Sequence, residues 1–365
     1  MLIDDRPAKI LILGHASVTH TRRWIEYFQN RGWTVRALSF PPLPDAPRVE
    51  PLSFAGLPRA LGIWLGRGRV RRVIDEFHPD ITSALYLPDY GWLATLAGAQ
   101  PLALSAWGSD VLVAPHKSVF HRRRIEKIVR RADHLFADAS VVRDGLIGLG
   151  APPDRISVVP LGVDDAFLKA GEKQPRDGIV PLVVVHNRRL EPVYRAETFV
   201  RAASRLQAER PGLFQFLVHG QGSERPRLER LASSLGLRDV LTFQGWLPPD
   251  QLPAALARCD IYASCASSDG TSVSLLEAMA AGCLPIVTDL PANREWINDG
   301  ENGLLYPVDD DAALAKQIKR AAAPAFRATA IPRNRAIIRA RARWQTNMHD
   351  VESQLMETIR RFRAR

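Results

Sequence analysis

Cys265-Ala-Ser-Ser-Asp269-Gly270-Thr271-Ser272-Val273-Ser274-Leu-Leu-Glu277-Ala-Met-Ala-Ala-Gly282-Cys-Leu-Pro285-Ile-Val-Thr-Asp289 is the stretch on which the reading of the fold turns. It follows a short apolar run, Ile261-Tyr-Ala263, and ends in another, Leu284-Pro-Ile-Val287. Between them a helical segment spans Ser274 to Ala281 and stops at Gly282, a residue that tolerates the left-handed backbone of a helix end. Strand, helix and strand in close succession predict a parallel crossover unit. The loop carries Asp269 and Gly270, and the helix's first turn, Thr271, Ser272, Val273 and Ser274, offers amides with no intrahelical acceptor. Those donors and the helix dipole make an anion site suited to a diphosphate. Glu277, early on the same helix, sets a carboxylate where it can accept two hydrogen bonds from a ribose diol.

The same alternation extends in both directions. Upstream in this half lie Leu182-Val-Val-Val185, a helix from about Glu197 to Arg210, Gln215-Phe-Leu-Val218, a helix at Arg225 to Leu235, and Val240-Leu-Thr-Phe243. The first half opens with Lys9-Ile-Leu-Ile-Leu-Gly14, a polar loop from His15 to Thr21, a helix from Arg22 to Arg31, and the strand Trp33 to Ser39. Further strands follow at Asp80–Leu85, Pro101–Ser105, His134–Asp138 and Ile156–Val159. A polar, turn-rich break lies at Lys169 to Pro181. The predicted fold class is α/β: two Rossmann-like, doubly wound domains facing a central cleft. Their expected bounds are 1–170, a linker at 171–181, 182–340, and a C-terminal helix at 341–365 packing back on the first domain. The first turn lacks the G-x-G-x-x-G fingerprint, which argues against a nicotinamide or flavin enzyme.

The bulk properties narrow the field. At 365 residues the chain exceeds what one core comfortably serves. No apolar run is long enough to span a bilayer, and Met1-Leu-Ile-Asp-Asp-Arg is no secretory signal, so the expected location is cytoplasmic. Cys259, Cys265 and Cys283 form no C-x-x-C pair and predict neither a disulfide framework nor a zinc site. A net charge of +10 points to anionic company. Basic residues gather at Arg59 to Arg72, Lys117 to Arg131 and Arg333 to Arg365. The first two clusters lie beside apolar positions and suit an anionic membrane surface, although a solvated helix face explains any one of them equally well. Asp309-Asp310-Asp311 reads as a helix N-cap rather than a metal site, and no metal or other cofactor is expected.

The 265–289 stretch resembles the donor-binding signature of glycosyltransferase family 4 and its GT-B relatives: a Glu-x7-Glu pair followed by Ala-Met-x-x-Gly and a nearby Pro. The resemblance extends to Val159-Pro-Leu-Gly-Val-Asp164 and to Asn293-Arg-Glu-Trp-Ile-Asn-Asp-Gly-Glu-Asn-Gly303. It implies a retaining, metal-independent enzyme moving a sugar from a nucleoside-diphosphate donor, a UDP-sugar foremost, to a glycan or lipid-linked acceptor. The implied pathway class is polysaccharide or envelope glycan synthesis. Glu277 would then bind the donor ribose, and Asp269, where Glu is usual, would contact the transferred sugar. In Asn187-Arg188-Arg189-Leu190-Glu-Pro-Val-Tyr194-Arg195 the family's Arg matches Arg189, and Tyr194 stands where a Lys is common. Arg189 is thus the expected electrostatic catalyst, with Arg188 and Arg195 as further donor contacts. Gly220 and Gly222 match a Gly-x-Gly turn that approaches the donor.

On the acceptor side the resemblance implicates His15, His20 and Arg23 in the first loop. In Ser105-Ala-Trp107-Gly108-Ser109-Asp110, Trp107 replaces the His of relatives, and Asp110 would touch the acceptor hydroxyl. Three rival readings stand beside this one: a sugar-nucleotide epimerase, whose catalytic acids and His find no place; a non-catalytic sugar-nucleotide-binding protein; and a basic nucleic-acid-binding protein, for which no recognition motif is present, so no nucleic acid is expected.

Overall fold

The computed structural model describes every residue except 1, 4–5, 42–48, 53–58 and 173–180. The chain divides into one unit of Met1–Pro160 with Met348–Arg365 and another of Leu161–Asn347. The first begins with an antiparallel ribbon of β1 (Leu2–Ile3) and β2 (Arg6–Pro7). Its parallel sheet contains β3 (Lys9–Leu13), β4 (Thr34–Ser39), β5 (Val49–Pro51), β6 (Ile81–Leu85), β7 (Leu102–Ala106), β8 (His134–Ala137) and β9 (Ile156–Val158). Their spatial order is β5-β4-β3-β6-β7-β8-β9. The second unit has β10 (Leu182–Asn187), β11 (Phe214–His219), β12 (Leu241–Gly245), β13 (Ile261–Ser264), β14 (Leu284–Thr288) and β15 (Leu304–Tyr306), ordered β12-β11-β10-β13-β14-β15.

Both sheets start in the middle, run outward to one edge, then return to build the other half. The direction reverses between β3 and β6 and between β10 and β13. At such switch points the loops after two neighbouring strands turn to opposite sides and leave a crevice at the strands' carboxyl ends. The apolar runs become strands because both sheet faces are covered: Ile10, Leu11, Ile12 and Leu13 are all fully buried. In β10 the alternation is explicit. Val184 joins Phe199, Phe216 and Leu314 on one face, while Val185 joins Tyr262, Leu275 and Met279 on the other. The Thr19–Asn30 helix buries Thr21, Trp24, Ile25 and Phe28, the spacing of a single helical stripe.

The division between units falls ten residues before the expected end of the first domain, after Pro160. The Asp165–Ala170 helix belongs to the second unit because Phe167 and Leu168 are buried in the cluster that holds Leu275 and Met279. Arg343 also grips Asp165 through Nε at 2.9 Å. Residues 173–180 of the expected linker lie outside the described residues.

The Trp344–Arg363 helix starts in the second unit and from Met348 onward belongs to the first. Glu352, whose side chain is 1% exposed, anchors it by accepting hydrogen bonds from Tyr27 Oη (3.1 Å), Arg31 Nε (2.9 Å) and Trp33 Nε1 (2.8 Å). Further along, Arg363 pairs with Asp80 at 2.7 Å and Arg365 with Asp133 at 3.0 Å. The C-terminal basic cluster is therefore largely engaged within the protein. The other two clusters differ. Leu61, Trp64 and Leu65 on the Arg59–Phe77 helix, and Val119 and Phe120 on the Val119–Arg131 helix, are exposed among arginines. No described helix is long and apolar enough to cross a membrane.

Candidate functional site

At the β10/β13 switch point of the second unit, two loops meet. Ser267 of the loop after β13 donates its amide (2.9 Å) and its hydroxyl (3.2 Å) to the carbonyl of Val193 in the loop after β10. Arg188 lies between these loops, its side chain only 8% exposed. Its Nη2 reaches Asp269 Oδ2 at 2.7 Å, and its Nη1 donates to the hydroxyls of Ser272 and, at 3.3 Å, Ser274. The turn Pro192–Tyr194 folds the Tyr194 ring against the guanidinium, with Cζ 4.3 Å from the ring centroid. Beneath, Tyr262 Oη is 2.8 Å from Ser274 Oγ.

Ser272 is the N-cap of the Val273–Ala281 helix and accepts from the amide of Leu275 at 3.3 Å. A cation is thereby fixed at the end of a helix whose own dipole is positive there. Burial alone would lower the Arg188 pKa, but Asp269, Tyr262 and Tyr194 more than offset it and the net shift is upward. Burial pushes the Asp269 carboxyl up from its usual range against the opposing pull of Arg188 and the Gly270 amide. Gly270 and Thr271 are buried beside it, and Glu277 is half-buried on the same helix.

The loop arginines sort differently from the expectation. Arg189 does not join this cluster: its side chain is 73% exposed and pairs with Glu191 at 3.3 Å. Arg195 takes a left-handed backbone (φ 48°) at the start of the Ala196–Glu209 helix and turns to Asp309 at 3.6 Å. Arg188, expected as a further donor contact, is the arginine built into the cluster. Tyr194 carried the signal, since an aromatic ring in place of a Lys supplies a platform for a guanidinium.

Gly220 and Gly222 serve backbone packing. A Cβ at either would lie 2.2 Å from a main-chain oxygen, that of Arg188 or of Leu190. Their absent side chains let the turn after β11 nest against the arginine loop, with Leu190 N bonded to Gln221 O at 3.0 Å. Asp310 caps the Asp311–Ala321 helix, accepting from Ala313 N at 2.8 Å, as the sequence predicts.

In the first unit, Asp110 is corrected. It is fully buried, and its carboxylate accepts from the amides of Trp107 (3.0 Å) and Leu87 (3.3 Å). Burial raises its pKa to about 6 in spite of these donors. Asp110 ties the turn after β6 to the turn after β7 and has no oxygen left facing an acceptor. His20 and Trp107 do come together, ring edge to ring face, at 6.0 Å. Burial, then Arg23, lowers the His20 pKa to about 4, so the ring is neutral at physiological pH. His15 and Arg23 are half-buried near the carboxyl end of β3. Tyr86 was not legible in advance. It follows β6 with φ 83°, a backbone that non-glycine residues rarely adopt. Its hydroxyl bonds Ser109, and burial raises its pKa, with Arg124 acting in the opposite direction.

Residues 173–342 match the family described as Glycosyl transferases group 1, and residues 9–139 match Glycosyl transferase 4-like. A D-inositol 3-phosphate glycosyltransferase of Acidothermus cellulolyticus is 31% identical over 55% of this chain and 48% of its own length. One from Actinosynnema mirum is 30% identical over 65% of this chain and 62% of its own. The chain spans about half the length of the curated relatives it matches. Anabaena HepE, solved with UDP-glucose, superimposes with a TM-score of 0.77 at 19% identity, covering 96% of this chain and 99% of that one, a likeness of fold. With a Glycosyl transferase 4-like first half and a Glycosyl transferases group 1 second half, the chain belongs to the glycosyltransferases.

Proposed function

We propose that the chain transfers a sugar, with retention of configuration, from a nucleoside-diphosphate donor to a glycan or lipid-linked acceptor in polysaccharide or envelope glycan synthesis. The observation that carries this reading is the buried Arg188 fixed against the capped N-terminus of the Val273–Ala281 helix, with Glu277 one turn further on. Arg188 and the helix terminus offer fixed positive charge to a departing diphosphate, which is the form of stabilisation that requires no metal. In this scheme the acceptor oxygen bonds to the anomeric carbon as the bond to the diphosphate breaks. The acceptor's proton passes to a diphosphate oxygen on the same face. UDP-sugars are the favoured donors, in keeping with the UDP-glucose held by HepE.

The Arg59–Phe77 and Val119–Arg131 helices support a peripheral place on an anionic membrane, where a lipid-linked acceptor resides. Both offer apolar side chains beside arginines, among them Trp64 at 56% and Phe120 at 82% exposure. The test of the donor reading is a thermal-shift screen of UDP-, GDP-, TDP- and ADP-sugars, with and without EDTA, alongside Glu277→Ala. A stabilisation by one nucleotide class that survives EDTA and is lost in the variant supports the reading. Stabilisation by DNA or RNA and by none of the nucleotides would overturn it.

A further inference from the structure

The buried cation of this site already has an anion. Asp269 holds Arg188 Nη2 at 2.7 Å, and the carboxylate side chain is only 16% exposed. Ser272 and Ser274 hold the other terminal nitrogen, and the Tyr194 ring covers the guanidinium face at 4.3 Å. The arginine is thus pinned in its plane by hydroxyls and out of its plane by the ring. It cannot swing toward a ligand and leave the carboxylate behind. A diphosphate drawn to Arg188 must take its place beside a negative charge that burial screens poorly from it. The two loops that deliver Tyr194 and Asp269 are tied by the two hydrogen bonds that Ser267 donates to the Val193 carbonyl, so ring and carboxylate are held as one assembly.

We propose that Asp269 opposes the diphosphate electrostatically beside Arg188, a positioning residue whose retained charge limits how tightly the nucleoside diphosphate is held. The inference rests on the donor-site reading above. It differs from the role the sequence resemblance implies for Asp269, contact with the transferred sugar, because here the carboxylate acts through Arg188. Two of the positions at which the chain departs from the family's pattern, Tyr194 and Asp269, converge on this one guanidinium. The choice of an aspartate follows from the geometry. A carboxylate on a short stem stays with the arginine, whereas one methylene more would let it extend past Nη2.

The two roles predict opposite results for UDP itself, which carries no sugar to transfer. Titration calorimetry would compare UDP and UDP-glucose binding by the unaltered chain, by Asp269→Asn, which keeps the shape and removes the charge, and by Asp269→Glu, which keeps the charge. A buried charge of the same sign a few ångströms from the diphosphate makes the expected gain roughly tenfold tighter UDP binding in Asp269→Asn, with Asp269→Glu showing no such gain. The gain should shrink little with added salt. Unchanged or weaker UDP binding by a folded Asp269→Asn protein would overturn the proposal, as would a loss confined to UDP-glucose. A loss of melting temperature without tighter UDP binding would assign Asp269 a structural role instead. If the unaltered chain binds none of UDP, GDP, ADP and TDP, the donor-site reading itself has failed, a result distinct from any outcome with the variants.

Discussion

Arg188→Ala and Arg189→Ala form the pair of substitutions that most directly tests which arginine meets the donor. The residues are adjacent, equal in charge and indistinguishable by composition, yet one side chain is 8% and the other 73% exposed. On the donor reading proposed above, removing Arg188 would take away a buried, charge-assisted contact to the diphosphate worth about 2 kcal/mol, so UDP binding should weaken roughly thirtyfold. Turnover should suffer more, by roughly a hundredfold to a thousandfold, because charge on the leaving group peaks in the transition state. Arg189 makes an exposed pair with Glu191, an interaction worth about 0 to 1 kcal/mol, and its loss should change either quantity by less than about twofold. Calorimetry with UDP gives the first quantity. Initial rates of UDP release with a competent acceptor give the second, each corrected for the folded fraction. Equal losses in the two variants, or the larger loss in Arg189→Ala, would refute the placement of Arg188 at the diphosphate.

Three further expectations follow from the same structure. Glu352→Ala strands the buried donors of Tyr27 and Trp33, while half-exposed Arg31 regains water, so unfolding in urea should show a loss of about 3 kcal/mol; a loss under about 1 would contradict the anchoring role. His20, His134 and His186 are each lowered by burial from 6.5 to about 4, so the stability they contribute is present above pH 6.5 and lost as pH falls toward 4. Asp110, raised to about 6, contributes in the opposite sense over the lower part of that window, and the three histidines should outweigh it. A melting temperature that stays flat or rises from pH 6.5 to 4 would be inconsistent with this. Trp64→Ser with Phe120→Ser should cut co-sedimentation with phosphatidylserine vesicles several-fold and leave UDP binding unchanged; equal sedimentation of both proteins would remove the membrane face.

The sequence specified most of the architecture because its signals are local. Continuous apolar runs such as Ile10 to Leu13 become doubly covered strands, and Gly282 ends its helix with φ 91°, as its type predicts. The helix start was legible only approximately: Ser272 is the cap, so the Val273–Ala281 helix opens inside the stretch Thr271 to Ser274 read as its first turn. What could not be read were choices settled by tertiary contact. Adjacent Arg188 and Arg189 differ only in which one finds Asp269 across 81 residues of chain, and no local preference encodes that. Asp110 was given an acceptor contact by resemblance, but the amides of Leu87 and Trp107 needed an acceptor and its buried carboxylate supplies one. Gly220 and Gly222 were read toward a ligand, and the structure adds a reason no local preference encodes: a Cβ at either would meet the main chain of the arginine loop.

The return of residues 348–365 to the first unit also constrains the order of events on the ribosome. Tyr27 and Trp33 are made early, yet the side chain that satisfies them, Glu352, emerges only after the whole second unit has been synthesised. While translation proceeds, the first unit carries an uncovered seam and a set of polar groups awaiting partners. The second unit, contiguous in sequence from 161 to 347, is free to fold before the first is complete. An expressed fragment ending at residue 160 would keep that seam open and should be a substrate for chaperones, whereas the same residues supplied with 348–365 as a separate peptide should close it.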